Sequence, residues 1–203
     1  TGQNRSMNML LTTHYAYKGK YIADLTVRRD GNTSFGEDKR WGTFPAISFR
    51  WNITDEPWME NVKWLSMLSI RPSWGYAGNM VGGYLYLSKY ASGESYNGNG
   101  SIYPSNIRLN NLQWESHEDW NLGFDFGLFD GMITGDVNMY LTNITKMLMP
   151  NRAISSSTGF TSFAYQNLGE MRNSGWEFRI DAHDFVKIGK KFRLSANISF
   201  NNN

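Results

Sequence analysis

The sequence of 203 residues contains no cysteine and only five prolines. The missing cysteines exclude disulfide bonds and thiolate metal sites. No run of about 18 apolar residues occurs, so no segment has the composition of a transmembrane helix. A formal net charge of +2 points neither to nucleic acid nor to a strongly charged membrane-surface patch. What remains is a polar chain, of a length that suits one domain, in which 15% of the residues are aromatic.

Residues 118–129 alternate between large apolar side chains and small or polar ones. The apolar set is Trp120, Leu122, Phe124, Phe126 and Leu128, and the other set is Asp119, Asn121, Gly123, Asp125 and Gly127. Successive side chains of a β-strand point to opposite faces, so this segment predicts a strand with one apolar face. From the first to the last apolar residue the strand rises about 26 Å, or roughly 20 Å of height at a tilt of about 40°. That height approaches the apolar band of an outer-membrane barrel, about 25 Å, although a soluble sandwich strand can also alternate.

The same alternation recurs along the whole chain and predicts eight strands. Each predicted strand is long enough to cross a bilayer. They lie at residues 9–17, 21–28, 46–53, 68–76, 118–129, 136–142, 176–181 and 192–200.

The non-apolar positions of these strands distinguish a membrane barrel from a soluble fold. In a soluble sandwich the outward face is rich in Lys and Glu. The non-apolar positions of this chain are instead mostly Asp, Asn, Ser, Gly, Thr and Arg, a composition that suits a wide aqueous lumen. The residues predicted to face the lumen are Arg28, Arg71, Asp125, Asp136, Glu177 and Arg179. Those predicted to face lipid are Trp120, Phe124, Phe126, Trp176 and Phe178.

The connections alternate between short and long, as they do in an outer-membrane barrel. The short ones are Lys18–Lys20, a hairpin signal at Asp130-Gly131 and Val186–Lys190, with Thr54–Ser66 as a longer member. The long ones are Asp30–Thr43, Met80–Leu112 and Met147–Gln166. Together with the alternation, this pattern predicts an all-β, antiparallel transmembrane β-barrel with its long connections outside the cell.

Blocks of sequence from Tyr21 to the end resemble one protein family. They occur in family order and are Arg28-Arg29-Asp30-Gly31, Arg40-Trp41-Gly42, Phe44-Pro45-Ala46-Ile47-Ser48, Ile70-Arg71-Pro72-Ser73-Trp74-Gly75, Asn121-Leu122-Gly123-Phe124-Asp125 and Asn173-Ser174-Gly175-Trp176-Glu177. No single block is specific, but the ordered set resembles the barrel of the SusC/RagA-type TonB-dependent outer-membrane transporters of Bacteroidetes.

This resemblance implies a parent barrel of about 22 strands with a plugged lumen. Residues 1–203 would then be a partial barrel of about eight strands, with the plug domain and the remaining strands outside this chain. The resemblance also implies a multi-pass outer-membrane protein powered by a TonB complex and covered by a SusD-like surface lipoprotein. The cargo would be a glycan or a peptide, and no enzyme activity, cofactor, metal or nucleic-acid partner is expected.

Tyrosines in the long connection 80–112 are the candidate contacts with cargo or with the lid. They are Tyr84, Tyr86, Tyr90, Tyr96 and Tyr103, and aromatic rings on an adaptable polar loop suit sugar, peptide or protein recognition. The alternative is that these rings only pack the loop onto its neighbours. The segment Asn97–Gly100 is interpreted as a flexible loop.

Two other function classes remain open at this point. A passive porin would share the strands, and a soluble carbohydrate-binding sandwich would bury the apolar positions. An outer-membrane enzyme would need a convergent Ser, His and carboxylate set, which the sequence does not supply, because the three histidines lie far apart. The acidic stretch from Glu115 to Asp119, which includes His117, is interpreted as a solvated rim because its members alternate between faces.

Overall fold

Eight strands form one antiparallel sheet in the computed structural model, which describes residues 4–188 and 192–203. They are β1 (Ser6–Tyr17), β2 (Tyr21–Asn32), β3 (Trp41–Asn52), β4 (Leu65–Asn79), β7 (Glu115–Leu128), β8 (Ile133–Thr145), β11 (Met171–Ile188) and β12 (Phe192–Asn202). Each of the eight predicted strands is confirmed. In the described part of the chain no helix has the length and apolar character to cross a membrane.

The sheet follows chain order, β1-β2-β3-β4-β7-β8-β11-β12, and every neighbouring pair in it is antiparallel. Residues directly opposite each other share a face. One row across the sheet is apolar and consists of Leu25, Ile47, Trp74, Trp120 and Leu141. The adjacent row is polar and consists of His14, Asp24, Ser48, Ser73 and Asn121. We call the two sides the apolar face and the polar face.

Short turns join β1 to β2 and β7 to β8. Lys18 and Gly19 have φ of 53° and 70°, and Asp130 and Gly131 have φ of 54° and 80°. Positive φ at both central residues is the signature of a tight hairpin turn that matches strand twist, so the predicted turn at Asp130-Gly131 is confirmed. The predicted connection Val186–Lys190 is partly strand, since β11 continues to Ile188, and residues 189–191 lie outside the described ones.

The two longest connections contain hairpins that the sequence pattern did not predict. Strands β5 (Tyr90–Tyr96) and β6 (Asn99–Pro104) pair in one, and β9 (Leu148–Ala153) and β10 (Ser162–Asn167) pair in the other. The interpretation of Asn97–Gly100 as a flexible loop was therefore wrong. Asn97 and Gly98 form a hairpin turn, with φ of 51° and 79°. Single 3-10 turns occur at Glu37–Lys39, Ile53–Asp55, Pro57–Met59 and Ser156–Thr158.

The small hydrophobic core lies where the long connections fold onto the polar face. Phe35 is fully buried, and Leu112 and Phe44 are 4% and 6% exposed. The Trp114 ring lies between Phe35 and Phe44, with ring centroids 5.1 and 5.7 Å away. The fold therefore buries apolar side chains mainly at this end of the sheet and leaves the apolar face open.

Candidate functional site

Asp125 on β7 is the centre of a charged network on the polar face. Its carboxylate accepts hydrogen bonds from Arg71 Nε at 2.7 Å and Arg71 Nη2 at 2.6 Å, in the bidentate geometry that guanidinium favours. Ser69 Oγ donates to the same carboxylate at 2.8 Å, and Arg50 Nη2 lies 3.6 Å from it. Two cations from neighbouring strands therefore share one anion, which leaves this cluster with a positive charge.

Gly123 gives Arg71 the space to reach across β7. A Cβ at this position would lie 3.1 Å from Arg71 Cζ and 2.8 Å from Asn138 Oδ1. Arg71 Nη2 continues to Asn138 Oδ1 at 3.4 Å, and Asn138 Nδ2 donates to Asp136 at 2.7 Å. The absence of a side chain at position 123 thus lets Arg71 of β4 reach Asn138 of β8.

The network continues through β11 to β12. Arg179 Nε lies 3.7 Å from Asp136 and 2.9 Å from Asp181, and Asn197 Nδ2 donates to Asp181. Beside these groups Glu177 and Asp136 line a polar cavity of about 500 Å³. The polar face here offers both signs of charge to whatever lies in front of it.

Polar side chains of β1 and β2 likewise have hydrogen-bond or ion-pair partners on this face. His14 Nδ1 lies 2.6 Å from Asp24, which also accepts from Ser48 Oγ at 3.2 Å. Arg28 pairs with Asp30 at 2.8 Å. All six residues predicted to face the lumen therefore lie on one face, and polar contacts occur on all eight strands of it.

All five residues predicted to face lipid lie on the apolar face. Phe124 is opposite Ile70 and Val137, and the same row continues to Phe178 and Phe200. Trp120 and Trp176 are 50% and 42% exposed. Large apolar side chains that are half exposed along a whole sheet face need an apolar environment outside the sheet.

Aromatic rings mark both ends of this face. Trp41 and Trp51 lie on the apolar face of β3, ten positions apart, which is about 33 Å along the strand and about 25 Å of height at a tilt of about 40°. Near the short turns, the Tyr21 ring stacks on Tyr17 and Trp51, with centroids 6.5 and 6.3 Å away. The spacing matches the apolar band of an outer-membrane barrel between its two aromatic girdles.

Glu56 anchors the connection between β3 and β4. Its carboxylate accepts from Tyr21 Oη at 2.6 Å and Trp51 Nε1 at 3.1 Å, and Lys20 Nζ lies 3.5 Å away. The hydrogen bond from Tyr21, with that from Trp51, holds the pKa of the Glu56 carboxyl below its usual range. This connection is therefore fixed to the sheet through a charged acceptor.

We expect the stabilisation by Glu56 to disappear in acid. Because the folded state lowers this pKa, the contribution is complete above the unfolded pKa of about 4.3 and is lost as pH falls through the folded value. The measurement is the free energy of unfolding of the wild type and of Glu56→Gln from pH 7 to pH 3. The difference between them should shrink on acidification; a difference that stays constant over that range would contradict the assignment.

The acidic stretch at the start of β7 divides between partners instead of forming one site. Glu115 is 7% exposed, not solvated, and accepts from His117 Nε2 and from the Leu148 amide, both at 2.7 Å. Glu118 accepts from Trp74 Nε1 at 3.0 Å, and Asp119 from Thr142 at 2.6 Å. Within the described ranges, no group of three or more His, Asp or Glu side chains is placed to hold a metal ion.

The candidate tyrosines of the long connection fall into two groups. Tyr84 and Tyr86 pack edge to face, with centroids 6.3 Å apart. Tyr90 on β5 and Tyr103 on β6 are 67% and 52% exposed, and the Tyr96 side chain lies outside the described residues. Sequence reasoning missed Ile102, which is 77% exposed and lies on the same side of the hairpin as Tyr90. We call Tyr90 and Ile102 the hairpin patch.

Comparison with known proteins establishes the family. The model described as "TonB dependent receptor-like, beta-barrel" matches residues 5–203. The chain belongs to this family. It is 35% identical over 198 residues to the TonB-dependent receptor SusC of Bacteroides thetaiotaomicron, covering 94% of this chain and 20% of SusC. It is 33% identical to the TonB-dependent receptor P39 of Formosa agariphila, covering 93% of this chain and 18% of that protein.

Solved structures agree with the fold. The RagAB peptide importer in its closed-closed state superposes with a TM-score of 0.86 at 24% identity, covering 97% of this chain and 21% of that one. The siderophore receptor PirA from Pseudomonas aeruginosa gives a TM-score of 0.62 at 12% identity, covering 98% of this chain and 34% of that one. The SusC/RagA-type resemblance and the barrel fragment are confirmed, which decides against a soluble sandwich. The chain spans about a fifth of the length of the SusC relative.

Proposed function

We propose that this chain is part of the barrel of an outer-membrane active transporter, which takes up glycans or peptides with energy from a TonB complex. The polar network that crosses every strand of one face, opposite an apolar face with aromatic rings at both ends, carries this proposal. Such a sheet fits between lipid on one side and water, or a polar plug, on the other. The family membership supports the placement in the outer membrane and the absence of enzyme activity.

The proposed orientation puts the long connections outside the cell. Outer-membrane barrels have short periplasmic turns and longer extracellular loops. The end with the hairpins β5–β6 and β9–β10 would then face the exterior, and the turns at Lys18–Gly19 and Asp130-Gly131 would face the periplasm.

The proposed external partner is a SusD-like surface lipoprotein that closes over the long connections. The hairpin patch supports this, because Tyr90 and Ile102 expose apolar surface on a paired hairpin instead of packing onto the loop. A tyrosine ring has few torsions to lose on binding and buries a large area, which makes it effective at a protein or glycan contact.

The test of this proposal replaces the hairpin patch. Tyr90→Ala combined with Ile102→Ser, in the protein that contains this chain, should weaken retention of the lid about tenfold, or about 1.4 kcal/mol, and should slow cargo uptake. The matched control is Trp58→Ala, because Trp58 is also exposed, at 62%, but lies at the opposite end of the sheet. Retention and uptake measured by co-purification and by labelled oligosaccharide or peptide should not change in the control.

Two results would contradict the proposal. Equal lid retention and uptake in the double variant and in the wild type would leave the hairpin patch as plain loop surface. Uptake that continues after collapse of the inner-membrane proton gradient would indicate a passive pore instead of an energy-coupled transporter.

A further inference from the structure

Arg29 lies on the apolar face, at the end of β2 that leads into a long connection. Its guanidinium Cζ is 5.3 Å from the centroid of the Trp41 ring, in cation–π contact. The Trp41 ring in turn lies across Gly31, where an added Cβ would come within 2.7 Å of the ring. Glycine at 31 therefore lets the indole lie flat against the strand, and the ring is still 42% exposed.

The charge of Arg29 is not neutralised by a neighbouring acid. Arg28, the preceding residue, points to the polar face and pairs with Asp30 at 2.8 Å. Arg29 has no ion pair with any carboxylate of residues 4–188 or 192–203. A cation on the apolar face is expensive in hydrocarbon but favourable at the level of the lipid headgroups.

The height of Arg29 places it at that boundary. Along β2 the apolar face carries Leu25 and Val27 immediately before Arg29, and Met9 of β1 lies directly opposite it. Trp41 marks the upper aromatic belt, about 25 Å above Trp51 at a tilt of about 40°. The guanidinium thus stands where an apolar stripe ends and headgroups begin.

We propose that Arg29 and Trp41 form a binding site for the phosphate of an outer-leaflet phosphoglycolipid of the lipid A type. A guanidinium can grip a phosphate through two parallel hydrogen bonds, and indole rings favour the headgroup level. The apolar stripe of Leu25 and Val27 would lie along the acyl chains of the same lipid. The inference rests on the proposed membrane placement, with the long connections outside, which selects the outer-leaflet lipid over an inner-leaflet phospholipid.

The test uses the protein that contains this chain, purified in a nonionic detergent. Binding of monophosphorylated lipid A is measured by native mass spectrometry for the wild type, Arg29→Gln and the control Arg28→Gln. Arg29→Gln should weaken binding about tenfold, or about 1.4 kcal/mol. Arg28→Gln should leave it unchanged, because that side chain lies on the opposite face.

Three results would overturn the site. The first is that Arg29→Gln and Arg28→Gln bind lipid A with equal affinity. The second is that the wild type binds lipid A without its phosphate as well as it binds the monophosphorylated form, and the third is that inorganic phosphate at the same concentration displaces the lipid. A second measurement tests the membrane placement independently of the lipid site. Leu25→Cys labelled with a polarity-sensitive dye should report an apolar environment in vesicles. An aqueous signal there refutes the placement itself, whereas an apolar signal with an ineffective Arg29→Gln refutes only the lipid site.

Discussion

Phe124→Arg should destabilise the folded barrel in vesicles by about 2–4 kcal/mol, the cost of arginine near the middle of a bilayer. Phe124 lies mid-strand on the apolar face, between Ile70 and Val137. An arginine there could reach neither the polar network behind the sheet nor the headgroups without local distortion. The measurement is unfolding by guanidinium from vesicles, followed by tryptophan emission.

Asn121→Arg is the matched control for that substitution. Asn121 lies three positions away on the same strand, is exposed, and faces the polar side. The new arginine would meet water and the carboxylates of the polar face, so a change within about 0.5 kcal/mol is expected, as for ordinary surface substitutions. If both variants lost the same stability, or Phe124→Arg lost none, the apolar face would not be the lipid face.

Asp125→Ala should cost about 2 kcal/mol, because hydrogen bonds to charged groups contribute about 1.5–3 kcal/mol and the two arginines can partly rehydrate. Arg71 and Arg50 side chains are 34% and 45% exposed. The substitution removes their shared anion and the acceptor of Ser69. Unfolding of Asp125→Ala and of the wild type in the same vesicles measures this loss of stability.

A double-mutant cycle with Arg71→Ala separates this contact from general loss of packing. If the bidentate pair is the main contribution, Asp125→Ala should cost much less once Arg71 is absent, with a coupling of about 1–2 kcal/mol. Additive losses in the double variant would show that Asp125 stabilises the sheet without its arginine.

The period-two pattern was sufficient to predict the main sheet and both of its faces. Side chains such as Asp125 and Phe124 are assigned to opposite faces by position alone, because a strand alternates. The same pattern limits the register without fixing it, since a slip by one residue would move each set of side chains to the wrong face whereas a slip by two would not. Which partner each polar residue takes did not follow, because Arg71 reaches Asp125 and Asn138 only through the space above Gly123.

The folding of the long connections was not predicted for two physical reasons. The Asn97-Gly98 pair is a strong hairpin signal, but its flanking strands alternate poorly and are rich in Gly and Ser. The signal was therefore present, and it would have led to Ile102 and the hairpin patch. By contrast, the packing of Phe35 onto Trp114 joins residues far apart in sequence, and no local pattern reports it.

The central claim is that water and lipid lie on opposite sides of this sheet, and cysteine scanning of β3 tests it directly. These 203 residues contain no cysteine, so once any cysteine elsewhere in the protein has been replaced, a single spin label can be placed in turn at each of residues 46–51. In vesicles the labels at Ile47, Phe49 and Trp51 should collide with dissolved oxygen, and those at Ala46, Ser48 and Arg50 with a water-soluble relaxing agent. Equal access of the aqueous agent to both sets, or no alternation along the strand, would contradict the account.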